Sequence, residues 1–187
     1  MYRILIVLVL GFARPLWGQQ NDCVRIPDTT AIHPVGAFSN MRFTEEHAYG
    51  YTVALWRAGH CQFVLFEASE GLSGDTPTGL LQPVRYDPAT RRIGFAARLT
   101  MGITKPAQGS GWVPSRDAFD FRGHLGPTAL KGRLSRSDQL RPELKAVIED
   151  IVLPLSKEQQ EFMIQAGTYG DWHTQAEAIL RARGPKW

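Results

Sequence analysis

Phe119-Asp120-Phe121-Arg122-Gly123-His124-Leu125-Gly126-Pro127-Thr128-Ala129-Leu130-Lys131-Gly132-Arg133-Leu134 is the stretch whose reading decides the fold. Its apolar residues recur at every second position, the period of a half-buried strand. Phe119, Phe121, Gly123 and Leu125 share one face, Gly126-Pro127-Thr128-Ala129 makes the turn, and Leu130, Gly132 and Leu134 return. A four-residue turn sets Leu125 opposite Leu130, Gly123 opposite Gly132 and Phe121 opposite Leu134. Two facing glycines leave a notch in the apolar face. The notch is either filled by a ring from a neighbouring strand or open to a ligand.

The same period extends outward from this hairpin, from Val35 to Leu134. A second hairpin turns at Asp87-Pro88-Ala89-Thr90, with Asp first and Pro second as a type I turn prefers. It places Val84 and Tyr86 on one face with Ile93, Phe95, Ala97 and Leu99, and sets Arg91 where glycine fits most easily. A third hairpin turns at Ala58-Gly59. Tyr49, Tyr51, Val53 and Leu55 point one way and Ala54 and Trp56 the other, while Phe63 and Leu65 alternate with Val64 and Phe66. Strands apolar on both faces are covered on both faces, so this hairpin is central and something packs on its outer side. An earlier strand runs from about Gly36 to Phe43.

The C-terminal region supplies that cover. Ser156 and Gln159 form a capping-box pattern ahead of Phe162, Met163 and Ala166. Asp171 is a cap for a last helix with the stripe Trp172, Ala176, Ile179 and Leu180, stopped by Gly184-Pro185. Leu144 to Leu153 fits a closing strand and a helix equally. Met101 to Arg116 reads as an exposed loop. The expectation is a mainly β fold: a small antiparallel barrel or sandwich of about six to eight strands with C-terminal helices packed on it. Residues 19–140 make the antiparallel β domain; residues 141–187 add the closing element and helices to the same domain.

Residues 1–18 read as a secretory signal peptide: Arg3 near the start, an apolar run from Ile4 to Ala13, then Pro15 and Gly18 before Gln19. The run is about half of the roughly 20 residues a membrane span needs. Its removal takes away Arg3 and Arg14, leaving 19 basic residues against 18 acidic ones. With no Lys/Arg run of the kind that tracks phosphates either, the sequence carries no nucleic-acid footprint. Cys23 and Cys61 are the two cysteines, and an even pair in an exported chain reads as a disulfide worth about 2–4 kcal/mol. Gln20-Asn21-Asp22 lacks the small apolar residues that precede a lipidated cysteine. The protein is therefore expected to be secreted or periplasmic, soluble after cleavage, with no membrane span.

Chemistry is sparse. The loop from Glu67 to Pro77 follows a central strand and gathers Glu67, Glu70 and Asp75 with Ser69, Ser73 and Thr76. A solvated turn explains it. Its functional readings are acid–base work by Glu70 and Asp75, with His60 as a helper, or oxygen ligation of calcium, although the spacing matches no calcium loop. The five histidines are scattered, without zinc-protease spacing, and no metal or cofactor is expected. Nucleophile-elbow, phosphate-loop and dinucleotide motifs are absent. Tyr49, Tyr51, Trp56, Phe63 and Phe66 alternate as a core does, but they are also candidates to line a pocket in a barrel, with Tyr49, Tyr51, Trp56, Phe121, Gly123 and Gly132 as the ligand-binding set. Three functions follow as expectations: a non-catalytic protein that binds a small apolar ligand or an envelope partner protein; a small hydrolase using the polar loop; and a structural envelope component docking through the Trp172 helix.

Overall fold

The computed structural model describes residue 23, residues 25–45, 47–71 and 84–185 and, for the backbone, 78–79. The signal-peptide reading and Asp75 lie outside the described residues. The chain runs through β1 (Ile32–Ser39), β2 (Arg42–Phe43), β3 (Ala48–Ala58), β4 (Cys61–Glu70), β5 (Thr78–Gly79), β6 (Arg85–Asp87) and β7 (Arg92–Leu99). It continues with β8 (Ile103–Thr104), β9 (Val113–Pro114), β10 (Asp117–Leu125), β11 (Ala129–Asp138), β12 (Val147–Pro154), α1 (Lys157–Glu161) and α2 (Tyr169–Arg183).

Two antiparallel sheets pack face to face. The first has the order β1-β3-β4-β5 with β2 also on β3; the second has the order β12-β11-β10-β7-β6. Of barrel and sandwich, the fold is therefore sandwich-like. The sheets touch at their margins, where Phe38 bridges Leu155 and the Val84 amide donates to the Gln62 carbonyl at 2.8 Å.

The register follows from the alternation. In the β10–β11 hairpin Leu125 pairs with Leu130, Gly123 with Gly132 and Phe121 with Leu134. The ring of Phe121 itself fills the glycine notch: a Cβ on Gly132 would sit 2.8 Å from its Cζ. That ring also stacks on Phe95 at 5.1 Å. In the β6–β7 hairpin Tyr86 pairs with Ile93, and Arg91 takes φ +56°, the left-handed conformation that glycine adopts without cost. The β3–β4 turn falls one residue later than expected, at Gly59-His60, because Ala58 pairs with Cys61 and Gly59 takes the left-handed φ of +59°.

The space between the sheets is filled by Val53, Leu55, Val64 and Phe66 from one side and Phe95, Leu99, Phe119, Phe121, Leu130 and Leu153 from the other. Behind the first sheet lies a second apolar layer, in which Trp56, Phe63 and Leu65 meet Met163, Ile164, Trp172 and Ala176. Trp172 packs on Trp56 at 5.4 Å and on Phe63 at 5.2 Å, and Trp56 Nε1 donates to the Ile164 carbonyl at 3.1 Å. The Cys23–Cys61 disulfide closes this layer, with Cα atoms 5.7 Å apart across a separation of 38 residues.

Several elements differ from expectation. Val147–Pro154 is strand, so the ambiguous stretch resolves towards closure of the second sheet on β11. Ser156 caps α1 as its pattern indicates, but that helix ends at Glu161 and Phe162 lies 76% exposed instead of on an apolar stripe. Thr168, not Asp171, caps α2: its Oγ1 accepts from the Asp171 amide, and Asp171 supplies the first-turn acid that the dipole favours. The segment 101–116 is not simply a loop, since β8 and β9 fold back on one another as a two-stranded ribbon.

Candidate functional site

Alternation puts a charged residue on an inward-facing position wherever a strand outruns the apolar core. Asp117 opens β10 one step before Phe119, and Arg136 follows Leu134 on β11. Both point between the sheets at the end away from the Gly59-His60 turn, which forms the mouth of the sandwich. Asp117 is only 3% exposed and is held from two directions. Arg136 Nε donates to its Oδ1 at 2.8 Å, and Ser115 Oγ donates to its Oδ2 at 2.6 Å. Ser115 Oγ accepts in turn from the Met101 amide at 2.8 Å. Arg136 also bonds Glu70 of the first sheet, and its guanidinium lies 5.6 Å from the centre of the Phe119 ring.

A second tie crosses the mouth beside the first. Tyr51 stacks on Phe66 and donates its phenol proton to Glu149 Oε1 at 2.5 Å. Its backbone amide is fixed by Asn40 Oδ1 at 2.8 Å. Burial, reinforced by the Glu149 bond and by the Glu149 and Glu70 charges, lifts the Tyr51 phenol well above its ordinary pKa. Burial works against the Arg136 charge, but Asp117 and Glu70 outweigh it and raise the guanidinium above its usual value. At neutral pH the mouth therefore holds a neutral phenol and a fixed cation. The phenol acts here as a hydrogen-bond donor to Glu149, and the guanidinium as a donor to Asp117 and Glu70.

Above these ties lies an open depression of about 630 Å³, lined by Asn40, Arg42, Tyr49, Tyr51, Glu70 and Glu149 among others. Tyr49 is 47% exposed there. Exposed Arg42 on β2 pairs with Tyr49 and shares its face, whereas Phe43, paired with Ala48, falls on the opposite face.

The structure sorts the residues singled out from the sequence. It brings Tyr49, Tyr51 and Glu70 together at the mouth. Trp56 lies on the opposite face of the first sheet, under α2. Phe121, Gly123 and Gly132 sit within the second sheet, where the Phe121 ring occupies the notch. His60 is at the far end of β4 from Glu70, roughly 30 Å away at about 3.3 Å per strand residue. The donor atoms of Cys23, His60 and Cys61 lie within 4.8 Å of one another, but both sulfurs are spent in the disulfide, so a single ligand remains.

The sequence reading missed Arg136, Asp117, Ser115 and Glu149. A signal for three of them was present. Extending the hairpin register beyond Phe121 and Leu134 places Arg136 opposite Phe119 and reaches Asp117 two residues earlier; Glu149 then pairs with Leu134. A charge on the apolar face of a strand demands a partner.

No protein-family model matches the chain, and neither does any curated protein or any solved structure.

Proposed function

We propose that the protein is an exported, non-catalytic binding protein that docks a partner protein of the cell envelope at the mouth of the sandwich. The observation that carries this reading is the juxtaposition of exposed Tyr49 and Arg42 beside a fixed polar floor. Aromatic residues and arginine are the side chains that protein interfaces concentrate. A floor tied by Tyr51–Glu149 and Arg136–Glu70 offers a partner a surface that need not reorganise on binding. A small apolar ligand is the weaker alternative, because the inter-sheet space it would use is occupied by Phe66, Phe95, Phe119 and Phe121. Export is supported by the reading of residues 1–18 together with the Cys23–Cys61 bridge, which belongs to oxidising compartments. Among the described residues no helix is long and apolar enough to cross a membrane.

Site-specific photo-crosslinking in the native host tests this proposal. A crosslinking amino acid at Arg42 or Tyr49 should give one discrete protein adduct, and one at exposed Lys145 should give none. Native mass spectrometry of the gently purified protein is the counterpart. A bound small molecule, combined with no adduct from either mouth position, would replace the partner protein by a small ligand.

A further inference from the structure

The outer face of the second sheet has a charge pattern that the linear sequence conceals. Single basic residues from neighbouring strands fall into cross-strand rows. Arg92, His124 and Lys131 stand directly beside one another on β7, β10 and β11, and in the next row Arg122 stands opposite Arg133. All five side chains are exposed. Like charges placed directly opposite on a sheet destabilise it, so the arrangement works against the fold. Asp120 and Asp150 neutralise part of it, through Arg122 at 2.9 Å and Arg133 at 3.3 Å. A shallow depression of about 560 Å³ lies among Arg122, Lys131, Arg133 and Val152.

Apolar side chains border the basic rows. On β12, Val152 pairs with Lys131 and Ile148 with Ser135, and both point to the same outer face, 53% and 61% exposed. No element of the described chain covers them.

From this combination we infer that the outer face of the second sheet docks on an anionic lipid surface. Lysine and arginine meet the headgroups, and Ile148 and Val152 enter the acyl boundary. Basic residues alone would suit any polyanion; the aliphatic pair beside them selects a bilayer. A single-stranded nucleic acid would call for aromatic platforms, and the outward positions of β7, β10, β11 and β12 carry no Phe, Tyr or Trp. The inference is independent of the mouth, which lies between the sheets.

The test is sedimentation of the full-length protein with phosphatidylcholine vesicles, with and without about one-third phosphatidylglycerol. The N-terminal apolar run is common to every variant, so a difference between variants reports on the sheet face. Replacing Arg92, Arg122 and Lys131 by glutamine should weaken partition onto the anionic vesicles roughly a hundredfold and leave partition onto neutral ones unchanged. Equal partition of wild type and triple variant onto anionic vesicles would overturn the inference. Ile148→Ser with Val152→Ser should lower anionic partition severalfold while retention on immobilised heparin stays the same. If that pair leaves vesicle binding unchanged, charge alone does the work, and a soluble polyanion replaces the lipid surface. High salt should release the wild type from anionic vesicles; persistence there would also overturn the proposal, without depending on the fold of any variant.

Discussion

The two sheets of the sandwich share one core but have opposite outer faces. The outer face of the first sheet is apolar and sealed: Trp56, Phe63 and Leu65 lie under α2, with Trp172 fully buried at the centre. The outer face of the second sheet is basic and, among the described residues, uncovered, with Arg122, Lys131 and Arg133 beside Ile148 and Val152. The difference teaches where stability resides and where it is given up. A face that packs a helix gains from every methylene it buries. A face that sets arginine opposite arginine gains nothing for the fold.

Substitutions on the two faces should differ in scale. Trp172→Ala empties the centre of the helix layer and should cost about 3–5 kcal/mol in denaturant unfolding, whereas exposed Trp112→Ala should stay within about 0.5 kcal/mol. Similar costs for the two would show that α2 does not seal the first sheet. Replacing Cys23 and Cys61 together by serine should cost about 2–4 kcal/mol. The same loss should appear when the wild type is unfolded under reducing conditions, and no loss there would detach the bridge from the stability of this layer.

The mouth, where the two sheets are tied to each other, is the next place to break the comparison. Arg136→Leu leaves the Asp117 carboxylate buried with Ser115 as its remaining partner and should cost about 2–3 kcal/mol. A neutral outcome would mean that the tie carries no energy. Tyr51→Phe should cost about 1 kcal/mol at neutral pH. The folded Tyr51 phenol lies above its unfolded value near 10, so its contribution is fully present below that pH and fades as pH rises beyond it. Wild type and Tyr51→Phe should therefore converge in stability under alkaline conditions, and a constant gap would contradict the burial assigned to this phenol. Smallest of all, Arg122→Thr should shift stability by no more than about 0.5 kcal/mol, in the stabilising direction. A large loss would mean that Arg122 serves the fold and not a surface.

The contrast between the sheets is legible in the sequence. Phe63-Val64-Leu65-Phe66 is apolar at every position and declares cover on both sides, whereas Phe119 to Leu134 alternates and declares one wet face. The turn at Asp87-Pro88 and the cap at Ser156 are local chemistry and read directly. What escaped depends on residues distant in the chain. Arg136 reaches Glu70 across 66 positions and Tyr51 reaches Glu149 across 98, pairings that exist only once the sheets are stacked. The basic rows are hidden in the same way, because Arg92, Arg122 and Arg133 stand on three different strands and become neighbours of His124 and Lys131 through register. The length of Leu144 to Leu153 and its mixed apolar pattern satisfied helix and strand alike; pairing with β11 chose the strand.

Hydroxyl-radical footprinting, read residue by residue against the unfolded chain, tests the central contrast most directly. The account predicts strong protection of Trp56 and Trp172 and about half of the unfolded-chain reactivity at Ile148 and Val152 in the protein free of vesicles. Reactive Trp172 with protected Ile148 and Val152 would contradict it, placing the cover on the second sheet and leaving the first one bare.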